Sequence, residues 1–186
     1  MASTSPAEDK TALRPGLLAR RREHINGRDR DADDTTLAEH VLALVADLGL
    51  DAGDTVAAYE SMRTEPPLAA TIDALVAHGI RVLVPVTLPD NDLDWCDATD
   101  PARMPAGPGA VSAAGLVLAP GLAADRTGTR LGRGGGSYDR ALARRAGTAK
   151  VVVVLHPGEV SAEPLPRDDH DLPVDGVLTA DGLEWF

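Results

Sequence analysis

Three stretches of this chain run apolar for several consecutive residues and then stop abruptly: Leu116-Val117-Leu118-Ala119 before Pro120-Gly121, the RVLVPV of residues 81–86, and the KVVVVL of residues 150–155. A strand with one wet face would alternate apolar and polar residues. An unbroken run instead marks a strand covered on both sides, the signature of a parallel sheet. Thr55 to Tyr59 and Gly176 to Thr179 read as further strands. Between them lie helical patterns. Leu37, Val41, Leu44, Val45 and Leu48 fall on one helical face with Gly49 as a stop and Asp34-Thr35 as the expected cap, and a second helix is expected from Leu68 to His78, ended by Gly79. The rhythm is β-α-β, so the predicted fold class is α/β: a single domain with a mostly parallel sheet flanked by helices on both faces.

The 186 residues suit one domain, expected over residues 10–186 after a polar, proline-bearing tail at 1–9 read as disordered. Pro15 places the regular start of a first helix near Arg14. With only five aromatic residues, the core must be built from Ala, Val and Leu. The formal charge of −11 argues against nucleic acid or an anionic membrane as main partner, although it leaves small anions open wherever positive charge is locally clustered. Cys96 is the sole cysteine, which rules out an intrachain disulfide and a cysteine-based metal site and fits a reducing cytoplasm. No stretch approaches the roughly twenty apolar residues of a membrane span.

Chemistry concentrates after the Leu116 run. Gly132, Gly134, Gly135 and Gly136 free the backbone to approach a ligand, Ser137 is placed to cap a helix, Arg130, Arg133 and Arg140 supply positive charge, and Asp139 is an acid suited to a cation. The pattern points to polyphosphate with a divalent metal. It is neither a Walker A loop, which needs Gly-Lys-Ser/Thr, nor a dinucleotide fingerprint, which needs a third glycine at the position of Ser137. A flexible surface loop with incidental glycines is the plain alternative.

Other candidates are single residues. Lys10 is one of two lysines against sixteen arginines, a compact ammonium suited to a phosphate oxygen or simply a solvated helix end. Glu65, in the loop after the Thr55 strand, is either an exposed acid or an acceptor for a ligand amine. Trp95 sits in a long segment at 88–115 read as a loop, where it is a local anchor or a platform for a flat heterocycle. His156 and His170 lack the spacing of a nitrogen-ligated metal site, whereas Asp168, Asp169, Asp171 and Asp175 are better suited to magnesium.

In order along the chain, Lys10-x-x-Leu13-Arg14, Met62-x-x-Glu65, Pro85, Ala119-Pro120-Gly121-Leu122-Ala123 with Asp125 and Gly128, Arg130 through Arg140, Pro166, His170-Asp171 and Asp175 resemble the 5-formyltetrahydrofolate cyclo-ligase family. The resemblance spans Lys10 to Thr179. It implies a NagB/RpiA/CoA transferase-like fold and an ATP- and Mg2+-dependent enzyme, a cytoplasmic monomer, closing 5-formyltetrahydrofolate to the 5,10-methenyl form with release of ADP and phosphate. It also implies that Lys10, Arg14 and Arg130, Leu131, Gly132, Arg133, Gly134, Gly135, Gly136, Ser137 and Tyr138 bind ATP, and that Asp139 and Asp171 hold the metal. Glu60, Glu65 and Arg133 to Ser137 would meet the folate, with Lys10, Arg133 and Asp139 carrying catalysis; Met62 and Trp95 are added as pocket walls. Ser137 departs from the family, which commonly has tyrosine there. Pro15 is a second departure, and the position often occupied by glutamine lies near Glu159. A sugar-phosphate isomerase or CoA transferase-like enzyme would need an acid/base pair that does not stand out, and a non-catalytic nucleotide or sugar-phosphate sensor usually carries a DNA-binding helix-turn-helix that this sequence lacks.

Overall fold

The computed structural model describes residues 5–168 and 171–186. Helix α1 (Pro6–Ile25) begins with a complete capping box: Ser5 accepts from the Glu8 N–H, and Glu8 in turn accepts from the Ser5 N–H at 2.8 Å. Residues 5–9, expected in a disordered tail, therefore form the cap and first turn. Pro6 supplies the favourable N-terminal proline, while Pro15 is carried inside the helix on an exposed position. Helix α2 (Arg30–Asp47) starts earlier than expected because Asp29, whose side chain accepts from the N–H groups of Asp31 and Ala32, is its cap. Asp34 does cap a helix, but a different one. Its carboxylate takes the Ala70 N–H at 3.1 Å and so serves helix α3 (Ala69–Ala77), which lacks a capping side chain at its own N-cap, Leu68.

The strands run β1 (Thr55–Ala57), β2 (Arg81–Thr87), β3 (Leu93–Asp97), β4 (Ala114–Pro120), β5 (Ala123–Asp125), β6 (Arg130–Leu131), β7 (Lys150–Val154), β8 (Val160–Ser161), β9 (Gly176–Thr179) and β10 (Gly182–Trp185), with the short helix α4 (Ser137–Leu142) between β6 and β7. Seven of them form the main sheet in the order β10-β9-β7-β4-β1-β2-β3. Its five inner strands are parallel and the outer strands β3 and β10 are antiparallel. The expected 88–115 loop thus contains an edge strand, which pairs Cys96 with Val84 and Trp95 with Pro85, and a 3-10 helix at Pro108–Ala113. Proline at position 85 breaks the continuous apolar reading of β2 without ending it. A small second sheet, β6-β5-β8, lies beside the first.

Alternation assigns the two faces. Val56, Val82, Val84, Leu116, Leu118, Val152 and Val154 meet Leu37, Val41, Leu44 and Leu75 from α2 and α3. Ala57, Leu83, Val117, Ala119, Val151 and Val153 turn the other way, onto Val111 of the 3-10 helix, Ala124 of β5, and Ala141 and Leu142 of α4. The sheet is buried on both sides, as its sequence requires. Its parallel strands all end at one edge, and the loops that leave that edge build the site.

Candidate active site

A cleft of about 600 Å3 opens beyond the carboxyl ends of β1, β2 and β4, where α/β sheets bind ligands. Helix α1 forms one wall with Lys10 and Arg14, the β1 loop contributes Glu60, Met62 and Glu65, and residues 130–139 close the far side. Asp168 and Asp171 complete the lining. The residues that the family resemblance linked to ATP, folate and metal, together with Met62, meet here, whereas Trp95 and Arg140 are not in the lining. Trp95 is fully buried in the core on β3, and Leu93, two residues earlier on that strand, reaches the cleft instead. Asp175 is also displaced from the expected metal group. It accepts from Lys150 at 2.9 Å and from the Val151 N–H, at the end of the sheet away from the cleft. Asp169 and His170 lie outside the described residues.

The loop carrying the glycines is shaped from its base. Burial pushes the Asp125 carboxyl up, but bonds from the Thr127 hydroxyl and from the N–H groups of Leu165, Thr129 and Thr127 outweigh it and hold the carboxyl below the usual range. The hairpin it sets delivers Arg130 into the wall. Arg130 donates to Asp139 at 2.6 Å and to the Pro120 carbonyl at 3.1 Å, and its charge lies 5.8 Å from the centre of the Tyr138 ring. Beyond it, Gly134 adopts φ +103, and a Cβ there would come within 3.1 Å of the Arg14 guanidinium. That left-handed backbone favours glycine and keeps the loop close to the arginine. Arg14 in turn donates to the Gly132 carbonyl at 3.0 Å. Gly136, not Ser137, is the N-cap of α4, in the left-handed conformation and without a side-chain cap bond.

Several charges in the cleft are paired with opposite charges, while Arg14 bonds the Gly132 carbonyl and the Thr11 hydroxyl. Burial depresses the Lys10 ammonium, but hydrogen bonds to Asp168, at 2.7 Å, and to Asp171 prevail and raise it above the ordinary lysine range. Glu65, nearly buried, accepts from the Met62 N–H at 2.9 Å and lies 3.3 Å from Arg133. Glu60 is more exposed and is gripped at both oxygens by Arg103, at 2.9 and 2.8 Å, a partner that the sequence did not reveal. Burial drives the Tyr138 hydroxyl far above its normal range, and that hydroxyl has no hydrogen-bond partner among the described residues. The Nε of Arg130 is likewise without one.

The cleft can therefore take an anion and a cation together. Glycine backbone, Lys10, Arg14, Arg130 and Arg133 match a polyphosphate, and the orphaned Arg130 Nε leaves a buried donor to satisfy. Asp139 and Asp171 offer the one or two carboxylates that magnesium takes alongside phosphate oxygens. Among the described residues no group of three or more His, Cys, Asp or Glu side chains could hold a metal unaided. A second cavity, about 410 Å3, lies on another flank of α1 beside Leu17, Arg20 and residues 157–163, and holds none of the expected site residues. Among the described residues no helix is long and apolar enough to cross a membrane.

Comparison with known proteins adds independent findings. Residues 6–180 match the model of the 5-formyltetrahydrofolate cyclo-ligase family. The chain belongs to that family. It is 35% identical to a 5-formyltetrahydrofolate cyclo-ligase from Mycolicibacterium smegmatis, with 91% of this chain and 93% of the relative covered. In fold it resembles a 5,10-methenyltetrahydrofolate synthetase from Mycoplasma pneumoniae (TM-score 0.72, 20% identity, 91% of this chain and 97% of that one). It is also similar to a synthetase of the same name from Aquifex aeolicus (TM-score 0.69, 25% identity, 95% and 92% covered). Membership in the cyclo-ligase family makes this chain a ligase of folate one-carbon metabolism and sets aside the isomerase, CoA transferase and sensor readings. The cyclo-ligase signal was legible in the order of motifs, whereas Arg103 and Leu93 carried no pattern that could have announced them.

Proposed function

We propose that this cyclo-ligase closes 5-formyltetrahydrofolate to 5,10-methenyltetrahydrofolate with ATP and Mg2+, releasing ADP and phosphate. The observation that supports the reading best is the convergence of Lys10, Arg14, Arg130 and Arg133 with four glycines on a cleft whose opposite wall carries the buried carboxylate of Glu65. A formyl amide oxygen is a poor leaving group. Transfer of the γ-phosphoryl to that oxygen turns it into a phosphate ester and leaves the formyl carbon electrophilic; N10 then attacks that carbon and gives up its proton to solvent, and the C–O bond breaks as phosphate departs. No protein nucleophile is needed, and among the described residues the cleft lining contains no cysteine or histidine.

The protein's work is alignment and charge neutralisation. Lys10 and Arg14, presented one helical turn apart on α1, meet the phosphates with Arg130 and the backbone of residues 132–136. Arg133 sits between the two substrates, because its guanidinium already touches Glu65 across the cleft. Glu65 accepts from the pterin, with Glu60 and Met62 at the rim. Mg2+ would be held by Asp139 and Asp171 and would neutralise charge on the transferring phosphoryl group. The protein acts as a cytoplasmic monomer.

Incubation of the protein with 5-formyltetrahydrofolate, ATP and Mg2+ should give stoichiometric ADP and the near-ultraviolet absorbance of the methenyl product. Unchanged folate, under conditions where a known cyclo-ligase converts it, would overturn the proposal.

A further inference from the structure

Outside the cleft lining, one buried polar group joins the segments that build it. Arg21 lies on α1 about three turns from Lys10 and is only 2% exposed. Its Nε and Nη2 donate to the two carboxylate oxygens of Glu159, both at 2.6 Å, and Nη2 also reaches the Gly121 carbonyl at 2.6 Å. Glu159 belongs to the loop after β7, and Gly121 to the loop after β4. The same carboxylate accepts from the His156 N–H at 2.8 Å. His156 then places Nε2 3.2 Å from the Thr64 carbonyl in the β1 loop. A carbonyl only accepts, so Nε2 carries a proton, and burial lowers the pKa of the ring below the ordinary histidine value. Thr64 is next to Glu65, and its hydroxyl accepts from Arg133 of the glycine loop at 3.2 Å.

The path therefore runs from the helix of Lys10 and Arg14, through Arg21, Glu159 and His156, to the loop of Glu65 and on to Arg133. None of Arg21, Glu159 and His156 lines the cleft itself. A buried ion pair is a poor device for stability alone, since apolar residues of similar volume commonly do as well or better. What this one supplies is a directional link among three strand-end loops and a helix.

We infer that Arg21, Glu159 and His156 are positioning residues that fix α1 relative to the β1 loop, so that the nucleotide and folate halves of the cleft are held in line. The inference rests on the proposed ring closure. Loss of the link leaves each half able to bind its own ligand but misaligned with the other, and a displacement of about 1 Å is enough to cost about 100-fold in rate.

The decisive variant is Arg21→Met combined with Glu159→Gln, which removes both charges together and keeps an acceptor for the His156 N–H. It should melt within a few degrees of the parent and bind nucleotide alone and folate alone within about threefold of the parent, with kcat lower by about 100-fold. Arg21→Lys, which keeps the charge but not the fork of donors, should recover little of that loss. Parental kcat in the double variant would overturn the inference. So would affinities and kcat that fall together in one ratio, because that is the mark of a merely structural pair. If the parent binds both ligands yet never closes the ring, the proposed function fails while the link is still read from the His156 ring nitrogens by NMR. The Nε2–H tautomer is expected in the parent and a changed signal in the double variant; an identical signal in both would sink the link.

Discussion

The two faces of the main sheet are covered by different kinds of structure. On one, Val and Leu side chains of the strands meet two regular helices, α2 and α3. On the other, the covering pieces are short: a six-residue 3-10 helix, the six-residue α4 and the small β6-β5-β8 sheet. Alanines are frequent there, with Ala57, Ala119, Ala124 and Ala141 all buried. Small residues let irregular backbone come close to the sheet, and the same irregular backbone continues into the glycine loop and Arg130. One face thus contributes mainly packing, while the other packs and also shapes the cleft.

The contrast breaks most easily at Leu44, on α2 and 1% exposed. Leu44→Ala should destabilise the protein by about 2–5 kcal/mol, the usual range for a buried leucine. Because α2 does not line the cleft, kcat per folded molecule should stay near the parental value. Denaturant melts and an activity assay normalised to folded protein check both halves of this. A large fall in kcat with unchanged stability would mean that the helical face also tunes the site.

Lys10→Ala tests the opposite half. It removes a cation from a cluster where Asp168 and Asp171 already share it, so some stability will go as their repulsion is uncovered. The larger effect should be on turnover, a loss of about 10²–10³ in kcat/KM for ATP, comparable to deletion of one charge-stabilising donor at a transition state. Asp139→Asn should behave similarly and weaken dependence on Mg2+. Steady-state kinetics over a range of ATP and Mg2+ concentrations, alongside melting curves, separates the two effects. Near-parental turnover in both variants would move the chemistry elsewhere.

The same division explains what the sequence made legible. Buried parallel strands write themselves as unbroken apolar runs, and α2 announces itself through Leu37, Val41, Leu44 and Val45. The motif order from Lys10 to Asp171 gave the family and nearly the whole cleft. What stayed hidden depends on contacts between distant residues. Nothing near Arg21 points to Glu159, 138 positions away, and an arginine in a run of three reads as a solvated one. Trp95 was misplaced because Leu93 to Asp97 alternates like an edge strand within a segment rich in Asp and Pro, where local composition outweighed a five-residue pattern. The start of α1 was missed because Pro15 drew the boundary inward, although Ser5-Pro6 and Glu8 spell a capping box.

A smaller effect should appear with pH. Burial lowers the pKa of His156, so the folded protein holds the ring neutral where the unfolded chain, at about 6.5, would take up a proton. Glu159 favours the charged form, while Arg21 and Arg28 oppose it alongside burial. Above pH of about 6.5 both states are neutral and His156 contributes no pH dependence; below it the unfolded state binds more protons and stability falls until the folded ring also titrates. Melting temperature should therefore decline from about pH 6.5 to pH 5, and His156→Gln should flatten part of the slope. An unchanged slope in that variant would assign the decline to other groups.

The smallest expected change separates the two halves of the cleft most finely. Ser137 stands at the first position of α4 and in the cleft lining beside Tyr138. A serine makes little apolar contact, so Ser137→Tyr adds a ring at the wall and leaves the cations of the cleft in place. If that wall faces the folate, its KM should shift several-fold while the KM for ATP moves by less than about twofold, since stacking on one aromatic ring is worth about 0.5–1.5 kcal/mol. Equal shifts in both constants would mean that the glycine loop acts as one rigid unit on both substrates. The cleft would then have no separable folate side at this position, and the second face of the sheet would be shaping a single site rather than two adjoining ones.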